Sequence, residues 1–113
     1  MLQIESKQLQ PDITVLEIVG KIILGRDCKH LEWTTESLLR ENHKKIIFDL
    51  SGVTHIDSTG VGILVMSAGQ VKNAGGQLRV ACPAGHVGEV LKLTSVDKVI
   101  SLHSSTAAAA AGF

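Results

Sequence analysis

Polar and apolar positions change their spacing several times along this chain, and each change predicts an element. Leu2, Ile4 and Ser6 alternate with polar neighbours, which predicts a short edge strand ending near Gln10-Pro11-Asp12. Those three residues predict a hairpin turn into a second strand, Ile13–Val19, that Gly20 stops. The apolar connection Lys21-Ile22-Ile23-Leu24 fits no period, and its conformation stays open. From Asp27 the spacing becomes helical. Cys28, Leu31, Thr35, Leu38 and Leu39 form one stripe, with Lys29, Glu32, Glu36 and Arg40 on the other faces. Asn42-His43 ends that helix.

Lys45–Leu50 contains Ile46-Ile47-Phe48, an apolar run without alternation, as expected of a strand covered on both faces at the sheet centre. Ser51-Gly52 precede Val53–Ile56, and a second helical stripe follows: Val61, Leu64, Val65, Ala68 and Val71, ended by Ala74-Gly75-Gly76. Leu78, Val80 and Cys82 alternate as a strand that Pro83 stops. Val87, Val90, Leu91 and Thr94 predict a short helix, and Val99–Leu102 a last strand. The order β-β-α-β-α-β-α-β predicts an α/β domain. Its mixed sheet has a mostly parallel centre, an antiparallel N-terminal pair, and helices packed on it. The tail Ser104-Ser105-Thr106, five alanines and Gly112-Phe113 reads as a last helix capped by a hydroxyl residue or as a frayed end.

Composition narrows the class. A chain of 113 residues is one domain's worth, with the folded body expected over 1–103 and the alanine-rich tail over 104–113. Hydrophobic residues at 44% argue against disorder. Lys plus Arg and Asp plus Glu each total 11, and the aromatics are only Trp33, Phe48 and Phe113, so nucleic acid is not an expected partner. Cys28 and Cys82 form no CxxC pair and read as reduced, mostly buried thiols. No run approaches the apolar length of a membrane span and the first residues lack a signal-peptide pattern, so a cytoplasmic location is expected.

One segment stands apart: His55-Ile56-Asp57-Ser58-Thr59-Gly60-Val61-Gly62, between the central strand and a helix start. Asp57, Ser58 and Thr59 offer side-chain oxygens where the first helical N–H groups lack partners. Gly60 and Gly62 remove side chains, so another molecule could approach the backbone. The positive end of a helix favours an anion, so a hydroxyl here suits phosphorylation. A plainer reading stands beside it: Asp-Ser-Thr caps the helix and the glycines serve only tight packing.

With these residues in view, the chain resembles the STAS domain of bacterial anti-sigma factor antagonists (anti-anti-sigma factors). The resemblance runs over nearly the whole chain: the strand pair ending in Gly20, the strand Lys45–Leu50, the motif Asp57-Ser58-Thr59-Gly60-Val61-Gly62, the Gly75-Gly76 turn and the short helix from Ala84 to Leu93. It implies partner switching. The unmodified protein would bind an anti-sigma factor that is also a serine kinase with a histidine-kinase-like ATPase fold, freeing a sigma factor. Phosphorylation of the serine after the motif's aspartate would release it, and a serine phosphatase would reset it. Carried over, the acceptor is Ser58 with Thr59 as the alternative, and Asp57–Gly62 form the partner surface. The family often carries an acidic residue after the glycine closing the second strand; here Lys21 follows Gly20. No enzyme activity, cofactor, metal or membrane is implied, and the chain is expected to be a monomer or weak dimer. The alternatives within the same domain class are a scaffold or subunit of another assembly, such as a signalling complex or transporter ATPase, or a module binding a nucleotide or lipid without phosphorylation.

Other motifs carry less. His55, Asp57 and Ser58 are too close on one strand-to-turn segment to act as a hydrolase triad, and no GxSxG is present. His30, His43, His55, His86 and His103 are scattered without ligand spacing. Trp33 is expected to cover part of the core, and Gly75-Gly76 to be a turn.

Overall fold

The hairpin, the crossovers and the central apolar run resolve into one five-stranded sheet in the computed structural model, which describes residues 2–10 and 12–113. The predicted turn residue Pro11 lies outside them. The strands are β1 (Gln3–Gln10), β2 (Ile13–Ile22), β3 (Lys45–Ile56), β4 (Gln77–Ala81) and β5 (Ser101–His103), in that spatial order. β1 runs antiparallel to β2, and the remaining pairs are parallel. The helices are α1 (Arg26–Arg40), α2 (Ser58–Asn73), α3 (His86–Leu93) and α4 (Thr106–Ala110).

Alternation on the strands divides the interior in two. Leu16, Ile18, Ile46, Phe48, Leu50, Leu78 and Val80 face the main core together with Leu31 and Leu38 of α1, Leu64 and Val71 of α2, and Val87 and Leu91 of α3. The next residues along, Ile13, Val15, Ile47 and Ala81, form a smaller cluster under Ala109 and Phe113. Both faces of β3 are therefore covered, and its unbroken apolar run has that cause. β1 at the sheet edge exposes Glu5, Ser6, Lys7 and Gln8, and a charged edge discourages pairing with another chain.

Four expectations need correction. β2 does not stop at Gly20 but continues to Ile22. Gly20 has φ +120°, and the ladder shifts there, Gly20 opposing Val53 and Lys21 opposing His55, so one strand skips a residue and pairing goes on. β5 begins at Ser101, not Val99, because a 3₁₀ turn (Val96–Lys98) holds Ile100 through its N–H to the Val96 carbonyl at 2.8 Å. Val65 does not belong to the buried stripe of α2; it lies on the outer face. Trp33 is 62% exposed and covers little core.

The alanine-rich tail forms the last helix rather than a frayed end. Ser105 Oγ accepts from Ala108 N–H at 3.1 Å and caps α4. At the other end Arg79 Nη1 donates to the carbonyls of Ala109 (2.9 Å) and Ala111 (3.0 Å), satisfying acceptors that a helix end leaves open. The same guanidinium lies 4.2 Å from the centre of the Phe113 ring. A cation on β4 thus clamps a helix that alanine propensity alone could not hold at five residues.

Candidate functional site

The Asp57–Gly62 segment sits where β3 overshoots β4. β4 pairs only with Lys45–Asp49, so the later half of β3 projects beyond it beside β2. The chain turns at Asp57, whose extended backbone (φ −108°, ψ −176°) makes it the residue that caps α2. One carboxylate oxygen accepts from Gly60 N–H at 2.8 Å. The other accepts from Leu24 N–H at 3.0 Å, tying the β2–α1 loop to the front of α2. The Gly60 N–H, then the Leu24 N–H, stabilise the ionised form and hold Asp57 below the usual carboxylate range.

Ser58 is the first residue of α2 and is exposed. No hydrogen bond to its Oγ is found among the described residues, because Asp57 already serves as the cap. Thr59 is half-buried beside it. The two glycines differ. A Cβ on Gly60 would run into the Ile22 carbonyl oxygen and lie 2.8 Å from Ile56 Cγ1, so this glycine serves the contact between α2 and β2. A Cβ on Gly62 would meet nothing within 4 Å. Val61 is half-buried against the core. Of the six motif residues, then, Ser58 and Gly62 are the ones fully presented to the outside.

Around them lies an uncharged surface. α2 carries no charged residue before Lys72, and Gly62, Val65, Met66 and Gly69 continue the outer face that Ser58 begins. Leu24, 77% exposed, stands at the same corner through its bond to Asp57. Exposed helix faces are ordinarily rich in charge, and its depletion beside apolar side chains is a mark of contact surfaces. Sequence reasoning had no residue-level signal for Val65 and Met66, which sit at the margin of a helical stripe. Leu24 lay in the unassigned apolar run, and an apolar loop residue with no strand or helix to bury it was the available clue.

The geometry does not assemble a triad. Both Asp57 oxygens are taken by backbone N–H groups, and His55 Nδ1 lies 2.9 Å from Thr54 Oγ1. Cys82 is half-buried, and burial first, then the charge of Asp49, pushes its thiol up, away from the reactive thiolate. No helix among the described residues is long and apolar enough to cross a membrane.

Comparison with known proteins agrees with this architecture. A Thermotoga maritima protein that carries the name of an anti-sigma factor antagonist is 28% identical over 74 residues, which is 66% of each chain. The chain thus spans just under two-thirds of that relative's length. The crystal structure of an anti-sigma factor antagonist from Mycobacterium paratuberculosis superposes with a TM-score of 0.85 at 19% identity, covering 96% of this chain and 91% of that one. A sulfate transporter family protein from Wolinella succinogenes has the same fold, with a TM-score of 0.79 at 18% identity over 93% and 87% of the two chains. The family model for the STAS domain matches residues 6–109, and the chain belongs to that family.

Proposed function

We propose that this domain is an anti-sigma factor antagonist whose docking is controlled by phosphorylation of Ser58. The observation that carries the reading is a serine hydroxyl with no task inside the fold, at the head of an uncharged, exposed helix face. The name of the Thermotoga relative supports the same role. In the unmodified state the surface around Ser58, Gly62, Val65 and Met66 binds an anti-sigma factor that is also a serine kinase with a histidine-kinase-like ATPase fold. The kinase moves the terminal phosphoryl group of ATP to Ser58 Oγ, the hydroxyl proton leaves to a base on the kinase, and ADP departs. Asp57 is not that base, since both its oxygens hold backbone N–H groups. A serine phosphatase removes the phosphate and restores docking.

Release follows from electrostatics. A phosphoserine carries about −1.5 to −2 charges, and the front of a helix tolerates them within the fold. A charge left unpaired in a desolvated interface costs about 3–5 kcal/mol, or roughly two to three and a half decades of affinity. The test is titration of Ser58→Asp and Ser58→Ala against the anti-sigma factor: the first is expected to lose about that much affinity and the second to keep it. Equal binding by both variants defeats the proposal. Intact mass after incubation with kinase and ATP identifies the acceptor, because a Ser58→Ala chain that still gains one phosphate points to Thr59.

A second reading is a subunit of a transporter assembly, favoured by the fold shared with the Wolinella protein. Recovery of transporter subunits and no kinase in an affinity purification supports it instead.

A further inference from the structure

The rim of the Ser58 corner has a definite charge. Lys21 opposes His55 in the β2–β3 register, so the two side chains leave the same face of the sheet. The His55 ring meets the His86 ring edge-on, with centroids 6.3 Å apart, bringing the start of α3 to the same place. All three residues are exposed. Two described carboxylates of these segments have other surroundings. Asp57 is occupied by Gly60 and Leu24, and Glu89, one turn after His86, lines a separate cleft with Lys92 and His103. One fixed cation and two imidazoles therefore stand at the strand ends that lead to exposed Leu24, and no ion pair to Lys21 is found among the described residues.

We infer that the partner segment docking at this corner is acidic and apolar: carboxylates facing Lys21, His55 and His86, around an apolar side chain seated on Leu24. This deepens the proposed function and rests on it. It also explains the sign of the switch. A phosphate on Ser58 repels a carboxylate-bearing segment, whereas a basic segment would find in phosphoserine a new partner and bind more tightly. Nucleic acid fits poorly, because a single lysine beside apolar side chains neutralises few phosphates.

The test uses two blocked peptides of alternating sequence, Glu-Leu-Glu-Leu-Glu and Lys-Leu-Lys-Leu-Lys, titrated into the whole domain and followed by amide NMR shifts. The acidic peptide is expected to move Lys21–Leu24, His55 and His86 at millimolar concentration, more weakly at high salt, and about tenfold more weakly with Ser58→Asp. Preference for the basic peptide, or no response at these residues to either, overturns the inference. A second measurement uses the anti-sigma factor. Lys21→Glu should cost tenfold or more in affinity, and Lys98→Glu, the same charge change in the 3₁₀ turn before β5, should cost nothing. Equal effects of the two reversals also overturn it. If the peptide result holds while Ser58→Asp leaves the anti-sigma factor bound, the acidic docking chemistry stands and phosphorylation control of it does not.

Discussion

Two serines occupy the fronts of two helices in this domain, and their hydroxyls have opposite fates. Ser105 is itself the cap of α4, its Oγ accepting from Ala108 N–H. Ser58 stands one position further in, because Asp57 has taken the capping role at α2. A capping hydroxyl is committed to its own backbone, and modifying it breaks the helix start. A hydroxyl just after an aspartate cap is left over, at the end of the helix that best accepts negative charge. The aspartate is thus what makes the serine available. The two regions also differ in what holds them: α2 is anchored by sixteen residues of packed helix, whereas the five residues of α4 depend on Arg79.

The contrast can be broken at several points. The largest effect is expected from Gly60→Ala, whose new methyl must displace the Ile22 carbonyl; about 3 kcal/mol of stability should be lost in urea unfolding. Arg79→Ala removes charge-assisted bonds to the carbonyls of α4 and should cost about 2 kcal/mol, with hydrogen exchange accelerated in α4 and unchanged at α2. Asp57→Ala deletes the cap of α2 and the tie to Leu24, for about 1–2 kcal/mol.

Asp57 also sets a pH dependence. Its folded-state pKa is depressed, so its contribution is full above the ordinary carboxylate range and is lost as pH falls through the lowered value. Asp57→Asn keeps a capping side chain without the charge. It should flatten this part of the acid limb of a stability profile, while the part due to Asp12, lowered by its bond to Lys45, remains in both proteins.

The sharpest comparison is the smallest in energy. Ser105→Ala should cost about 1 kcal/mol and Ser58→Ala less than about 0.5, measured side by side. A substantial loss for Ser58→Ala would mean that the hydroxyl is engaged inside the fold after all. Gly62→Ala should add about 0.5–1 kcal/mol of stability, since its methyl meets nothing, while placing a new group on the proposed docking face.

Much of this arrangement was legible before any coordinates, for physical reasons that also mark where legibility ends. The run Ile46-Ile47-Phe48 announced a strand covered on both sides, and the motif announced a capped helix start. Gly20 misled because glycine usually punctuates a strand, while here its positive φ lets the strand continue through an irregular register. Val65 misled because helical spacing alone does not say where a buried stripe ends. The bonds from Asp57 to Leu24 and from Arg79 to Ala109 span 33 and 30 residues, and nothing local in the sequence encodes them.

The overhang of β3 has a consequence for how a signal is carried. Ser58, the proposed acceptor, stands one residue beyond the middle strand of the sheet, with only the capping Asp57 between them. Under the proposed phosphorylation, a mark written there is read on the spot, by whatever tries to sit down on it. The domain then behaves as a rigid signpost, and its internal dynamics should look the same whether the sign is up or down.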